Sequence, residues 1–525
     1  MSSTSSFAWV SLVALLLLAG CSDPGGSTAP RVDPSMNDLS AREQTGRRLL
    51  ESASDQLNNL DNFDERTLES ALQQVVRLTN EGLAMLPNAA AEPTILDIED
   101  GRILREVVWL RDASRFAVGD ETDPLRRAER LFDWTIRNIQ LIPADKSEAK
   151  LPFLPWHLLL LGRAAEIDRA WLFQLLARQQ QLDVVLLAAP GDKPDAKPSD
   201  LKILLAGVIV DKQLYLFDPR IGAPIRTKDG MQTATLAQAA ADDGLLRALD
   251  LPGKPYPIKS DDLKRLVTVQ EASSIYLDPR LARIGRELTG RNRLEFEAHP
   301  DTLAAQLKDI PGIGSTIRWP LRDERYAASR ATSKENFDTI KQLLAPFNLP
   351  RTYEGRIIPS PLLKARVRHI TGKYYENPQE TDPALLNLSI NFHYHHARPA
   401  NEDLVAINAE RHANVWQLAL TIRQNATYWL GIVAYDLKNY ETARDYFEMI
   451  LKQESSVDWT TGARYNLGRS YEALAAAAKV PTAKADNVKK ALETYRATYL
   501  KHEPDDQSLE RAKWLEMQAT KQPRR

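Results

Sequence analysis

Residues 159–188 read LLLGRAAEIDRAWLFQLLARQQQLDVVLLA and change from a helical to a strand pattern in one stretch. Beyond Gly162, the run that reaches about Gln180 sets Ala170, Leu172, Phe173, Leu175 and Leu176 among charged and amide residues, as one helix would. Leu182–Ala188 is then a short apolar run of the kind a buried strand carries. Two more strand-like runs follow, Ile203–Val210 and Gln213–Phe217, with only Asp211-Lys212 between them, which suits a two-residue hairpin turn. Helix, strand, strand, strand in this order predicts a small α+β unit.

Upstream, Asp123 is the right residue type to cap a helix whose first position is Pro124 and whose apolar face is Leu125, Ala128, Leu131, Phe132, Ile136 and Ile139. Before it, 38–58 and 65–85 have helical periodicity and predict an antiparallel helix pair. Downstream, 235–400 reads as short helices between Pro and Gly breaks, such as Asp278-Pro279 opening Leu281–Leu288, and the last third is helical. The predicted fold class is α+β, mostly helical.

The N-terminus has its own signature. Phe7–Gly20, FAWVSLVALLLLAG, has the length of a secretory h-region and falls short of the roughly 20 residues a spanning helix needs. It closes on Leu18-Ala19-Gly20-Cys21, which resembles the lipobox of bacterial lipoproteins, where the Cys thiol is acylated. The n-region departs from the usual pattern, because Met1–Ser6 has no Lys or Arg. The resemblance implies lipidation at Cys21, a membrane-tethered protein of the cell envelope and, with Ser22 next, outer-membrane sorting where that membrane exists. Cys21 is the one cysteine of the chain, so no internal disulfide is open to it. With that sulfur acylated, thiol catalysis and Cys-ligated metals are excluded as well. A formal net charge of −2 with both signs interspersed gives no electrostatic reason to expect nucleic acid as a partner.

The segments RLFDWTIRNIQ (130–140), 159–188 and VIVDKQLYLFDPRIGAPI (208–225) together resemble the transglutaminase-like, papain-related domain. In that family a Cys opens the helix, a His starts the second strand and an Asp ends the third. Aligned through Ala170 and its apolar neighbours, those positions fall on Glu166, near Ile203 and on Asp218; only the Asp is kept. No Ser, Thr or Cys occurs between Ser147 and Ser199, and no His between His157 and His299, so no neighbouring residue replaces the nucleophile or the base. The resemblance implies a non-catalytic domain. Glu166 and Asp168 are then expected to cap helix N–H groups, with Arg163 and Arg169 paired to them. The sharper alternative is a carboxylate-based hydrolase or transferase using Glu166, Asp168 and Asp218, with Trp171 and Tyr215 lining its pocket.

Residues 427–451, TYWLGIVAYDLKNYETARDYFEMIL, resemble a tetratricopeptide repeat, with Leu430 and Gly431 in the first helix and Ala443 and Phe447 in the second. A second copy has Leu467, Gly468 and Tyr471, then Ala491. Gly431 and Gly468 are 37 residues apart and Ala443 and Ala491 are 48 apart, which predicts an insertion around 475–487 read as a loop at Lys479-Val480-Pro481. Gly431 is expected against Ala443, and Gly468 against Ala491. Because fewer than about three repeats are rarely stable alone, helices in 402–424 are expected to supply a further layer and 509–519 a cap. His393, His395 and His396 lack acidic or Cys neighbours at ligand spacing and predict surface or packing roles, so no metal or cofactor is expected.

The predicted organisation is a signal at 1–20, a tether at 21–35, N-terminal helices at 36–120, the transglutaminase-like domain at 121–230, a helical region at 231–400 and repeats at 401–525. The repeat resemblance implies a protein or peptide partner. The functional expectation is a protein-binding scaffold; a structural envelope spacer is the third possibility.

Overall fold

The computed structural model describes residues 40–58, 60, 65–87, 95–190, 197–353, 356–358, 360–374, 390–406, 413–453 and 458–521; Cys21, with the whole of the predicted signal and tether, lies outside them. Helices α1 (Ala41–Asn58) and α2 (Glu65–Met85) form the expected antiparallel pair, with Gly46 against Gly82 where a Cβ would meet the facing carbonyl. Helix α3 (Ile98–Val118) starts in a capping box between Asp97 and Asp100. Helix α4 (Pro124–Asn138) starts on the predicted cap, Asp123 accepting the Arg126 N–H at 2.8 Å. The two-residue strand β1 (Gln140–Leu141) pairs in parallel with β2 (Arg163–Ala164). Between them α5 (Pro155–Leu161) ends on Gly162, whose φ of 67° lets the chain turn back into α6 (Glu166–Arg178).

A six-stranded sheet follows: β3 (Asp183–Ala188), β4 (Ile203–Val210), β5 (Gln213–Asp218), β6 (Ala223–Pro224), β7 (Leu266–Glu271) and β8 (Ile313–Trp319), in the order β6-β5-β4-β3-β7-β8. Asp211 and Lys212 have φ of 49° and 63°, the geometry of the predicted hairpin turn. Alternation along the strands gives each face its own core. Val184, Leu186, Ala206, Val208 and Phe217 face α3, α4 and α6, whereas Val185, Leu187, Leu205, Leu214 and Leu216 face α7 (Leu236–Ala241), α8 (Asp243–Arg247) and, beyond α9 (Pro279–Glu287), α10 (Pro300–Lys308). On the first face Phe132, Phe173 and Phe217 lock α4, α6 and β5 together, with ring centroids 5.0 to 5.7 Å apart.

The expectation that 231–400 is helical is corrected by β7 and β8. In β7 the polar Thr268, Gln270 and Glu271 occupy buried positions and hide the strand pattern. In β8, an exposed edge strand, Gly314 and Ser315 stand where apolar residues would announce a strand.

The chain continues through α11 (Leu321–Arg330), α12 (Lys334–Leu344), the paired strands β9 (Arg351–Tyr353) and β10 (Arg356–Ile358), α13 (Pro361–Ile370), α14 (Ile390–Ala397) and α15 (Asn401–Ala406). It ends in α16 (Ala413–Asp436), α17 (Tyr440–Lys452), α18 (Thr460–Ala477), α19 (Pro481–Arg496) and α20 (Asp506–Lys521). Three expectations are corrected here. The predicted loop at 475–487 is mostly helix, the extra residues lengthening α18 and α19. The layer expected from 402–424 is not a separate one, because α16 runs unbroken from Ala413 to Asp436 with the α13–α14 pair packed on it; Leu418 and Ile422 pack in the core as expected, Val415 is 56% exposed, and Ile407 lies outside the described residues. Gly431 and Gly468 face the rings of Phe447 and Tyr495, one turn beyond the fully buried Ala443 and Ala491. Among the described residues no helix is long and apolar enough to cross a membrane.

One buried cluster runs from Leu50 to Ala512 and joins the N-terminal helices, one face of the sheet and the C-terminal helices, Leu430 and Leu467 included. Its density makes a test. A Cβ at Gly431 would stand 2.7 Å from Phe447 Cε1. Gly431→Ala should therefore lose about 1 to 3 kcal/mol through overpacking, against a gain of about 1 kcal/mol in helix propensity, giving a lower urea midpoint. A raised midpoint would contradict the packing.

Candidate functional site

The residue before α6 is Ala165, which has no capping oxygen, and no side chain caps the helix; Glu166 and Asp168 stand in its first turn, where they complement its dipole, but do not take the expected capping role. Asp168 is fully buried and accepts from Arg325 Nη2 at 2.7 Å, while burial pushes its carboxyl up to about 6 against the pull of that guanidinium. Glu166, the first residue of α6, is half-buried; burial and then the Asp218 charge raise its pKa. Arg169 is wholly buried and donates Nη2–H to Gln507 Oε1 of α20 at 2.7 Å, not to Glu166 or Asp168. Its Nε and Nη1 have no hydrogen-bond partner, and burial pushes the guanidinium down to about 10. Arg163 pairs with Glu148 at 2.9 Å.

Asp218 closes β5, wholly buried. It accepts Tyr256 Oη–H at 2.6 Å, the N–H groups of Arg220 and Ile221 at 2.7 and 3.2 Å, and Arg220 Nη2 at 3.4 Å. Burial, and after it the Asp218 charge, hold the Tyr256 proton well above the usual phenol range. Helix α20 lies across this end of the sheet: Gln507 packs on Gly222, Lys254 pairs with Asp506 at 2.6 Å, and Lys513 donates to the Asp250 carbonyl at 2.6 Å. Glu510, 5% exposed, is pushed up to about 8 by burial, with Asp506, Asp218 and Asp250 adding to the rise and Lys513 opposing it.

The Asp218 charge thus acts on both Glu166 and Arg169, whereas Ile203, the first residue of β4, is half-buried against the larger core. Trp171 is fully buried in that core, and Tyr215 is half-buried with its hydroxyl bonded to Gln213. Two sizeable cavities lie elsewhere, one between α1 and α2 and one beside the end of α3, and neither is lined by any of these residues. The histidines have packing partners: His396 Nδ1 contacts the Phe392 carbonyl at 2.7 Å, His395 faces Tyr446 Oη at 3.3 Å, and His393 is buried. No group of three His, Cys, Asp or Glu side chains that could hold a metal ion occurs among the described residues.

Tyr256, Arg325, Gln507 and Glu510 are the partners that sequence reading missed. Only Tyr256 had a local signal, a lone aromatic between Pro255 and Pro257; the others come from segments more than 140 residues from α6. Among the described residues no thiol or imidazole stands beside Asp218, and the Tyr256 hydroxyl that does is held protonated; the cluster holds charge and orients helices. Compared with known protein families, curated proteins and solved structures, the chain matches none.

Two outcomes follow. Tyr256→Phe removes a donor from a buried carboxylate and should cost about 1 to 3 kcal/mol in denaturant unfolding; no cost would mean that Asp218 is not dependent on it. Glu510 keeps its proton in the folded state to about pH 8, whereas an unfolded Glu loses it near the ordinary value of about 4.3. Its raised pKa therefore adds stability that is full below about pH 4.3 and is lost as pH rises to about 8. Glu510→Gln should flatten that slope and be the more stable protein at pH 8, as melting curves across this range would read. Parallel pH profiles of the two proteins would contradict the burial.

Proposed function

We propose that this protein is a cell-envelope lipoprotein, tethered to a membrane through acylated Cys21, that works as a non-catalytic protein-binding scaffold built on a degenerate transglutaminase-like unit and tetratricopeptide-like helical pairs. The observation that carries the reading is the covering of Asp218. The one retained catalytic position is satisfied inside the chain by Tyr256, Arg220 and backbone N–H groups, under α20. An enzyme needs a reachable cleft with convergent polar groups, and the protein spends those groups on a contact between its own segments. The order α6, β3, β4, β5, with Glu166 opening the helix, Ile203 starting the second strand and Asp218 ending the third, supports the transglutaminase-like part. The antiparallel succession α16 to α19, with small residues under aromatic rings, supports the repeats and hence a protein or peptide partner.

The test has two parts. Cys21→Ala should move the protein from the membrane to the soluble fraction and abolish acyl labelling; unchanged fractionation would refute the anchor. A tagged lipidated chain, pulled down from solubilised membranes, should recover a defined protein absent from a control lipoprotein, with Asp218→Asn capturing as well as the native chain. A folded Asp218→Asn protein that no longer captures that partner would count against the scaffold reading.

A further inference from the structure

The connection from α19 to α20 turns on Leu500 and Lys501, whose φ values of 52° and 65° are left-handed. A leucine has no short polar side chain to bond the local backbone in that region, and its Cβ crowds the following carbonyl. The same kind of two-residue turn occurs at Asp211-Lys212, but there it joins β4 to β5 and the five residue pairs of that ladder hold it. At Leu500-Lys501 the local support is one bridge, Tyr499 to His502, with a bond from Thr498 Oγ1 to the Glu503 carboxylate at 2.9 Å beside it. The turn carries backbone strain without a sheet to impose it, so the force that closes it comes from outside the turn.

That force is the docking of 502–521. Arg464 of α18, wholly buried, donates to the carbonyls of His502 and Glu503 at 2.6 and 3.1 Å, and Arg511 makes a two-pronged pair with Glu472 of α18 at 2.8 and 2.5 Å. On the sheet unit Gln507 takes the Arg169 bond and fills the space that Gly222 leaves, Lys254 pairs with Asp506, and Lys513 bonds the Asp250 carbonyl. Every one of these receiving groups precedes the turn in the chain, and every group that docks on them follows it. The bonds that seat α20 are therefore the same whichever copy of the chain supplies it.

We propose that a second copy of this chain supplies it: two copies exchange residues 502–521, each α20 seated on the α18 and sheet unit of the other, in a closed two-fold dimer. Opening the turn gives up the Tyr499–His502 bridge and the Thr498 bond and releases two left-handed residues, while all the docking bonds re-form between copies. Once extended, 497–501 span up to roughly 17 Å, enough for α20 to leave its own chain while α19 stays folded. Short connections under strain favour exchange over folding back. Exchange places Gln507 of one copy on Arg169 of the other, so the buried end of each sheet unit is completed by its partner. Neither the lipid anchor nor a further protein is needed for it.

The test uses the full chain carrying Cys21→Ala, refolded from denaturant as an equal mixture of light and isotopically heavy protein over a series of concentrations. Size exclusion with light scattering separates monomer from dimer, and carbodiimide then couples Lys254 to Asp506 through their ion pair. In the dimer about half of these couplings should join a light to a heavy peptide, as random pairing of two equal pools gives, and in the monomer none should. Leu500→Asn/Lys501→Gly, residues that take this turn without strain, should raise the dimer dissociation constant by about tenfold or more. A chain that stays monomeric at every concentration, or a dimer whose Lys254–Asp506 couplings all lie within one chain, would overturn the proposal. So would a Leu500→Asn/Lys501→Gly protein that dimerises as tightly as the native turn allows.

Discussion

Strands β3 and β4 are apolar on both faces, and this constraint organises the rest of the molecule. A sheet with one wet face can stand against a single layer of helices, but Val184-Val185-Leu186-Leu187 admits water on neither side. Helices α3, α4 and α6 cover one face and α7, α8 and α10 the other, so the segment after β6 has to cross to the far side of the sheet before it returns as β7. Gly207 belongs to the same constraint: on the second face a Cβ there would stand 2.8 Å from Leu214, so the close fit of β4 and β5 depends on its absence.

The C-terminal helices are part of this arrangement. Arg137 of α4 pairs with Asp436 of α16 at 2.8 Å, Asn466 of α18 donates to the Arg137 carbonyl, and Gln140 donates to the Asp458 carbonyl. Together with the hold of α20 on Arg169, these contacts bind the C-terminal helices to the sheet unit by polar bonds, most of them buried, as well as by apolar packing. Such bonds specify orientation: losing one partner strands the other, at a cost larger than the net gain of making the pair.

How much of this could be read in the sequence follows the range of the interactions. Local chemistry was legible: Asp123 and Asp278 cap the helices they were expected to cap, and Asp211-Lys212 make the turn that their position between two strands implies. Pattern was legible wherever apolar residues carried it, as in the helical period of α2 and the unbroken apolar run of β3. It failed where buried positions are polar, as at Thr268 and Gln270 of β7, and where a strand lies at an edge, as β8 does. At the candidate site the sequence named the carboxylates but not what holds them. Arg325 lies 157 residues from Asp168 and Gln507 lies 338 residues from Arg169, and no local pattern encodes such a pairing.

The Arg169–Gln507 contact also sets an order of events in time. A ribosome adding about 5 to 20 residues per second needs on the order of 20 to 70 s to pass from one partner to the other. Through that interval α6 and its strands exist without the helix that closes over them, and a guanidinium destined for a dry interior stays wet. Long-range contacts of this kind form late and slowly. Until α20 is made the sheet unit has an open end, where a chaperone can hold it and a protease can cut it, and the arrival of α20 ends that exposure.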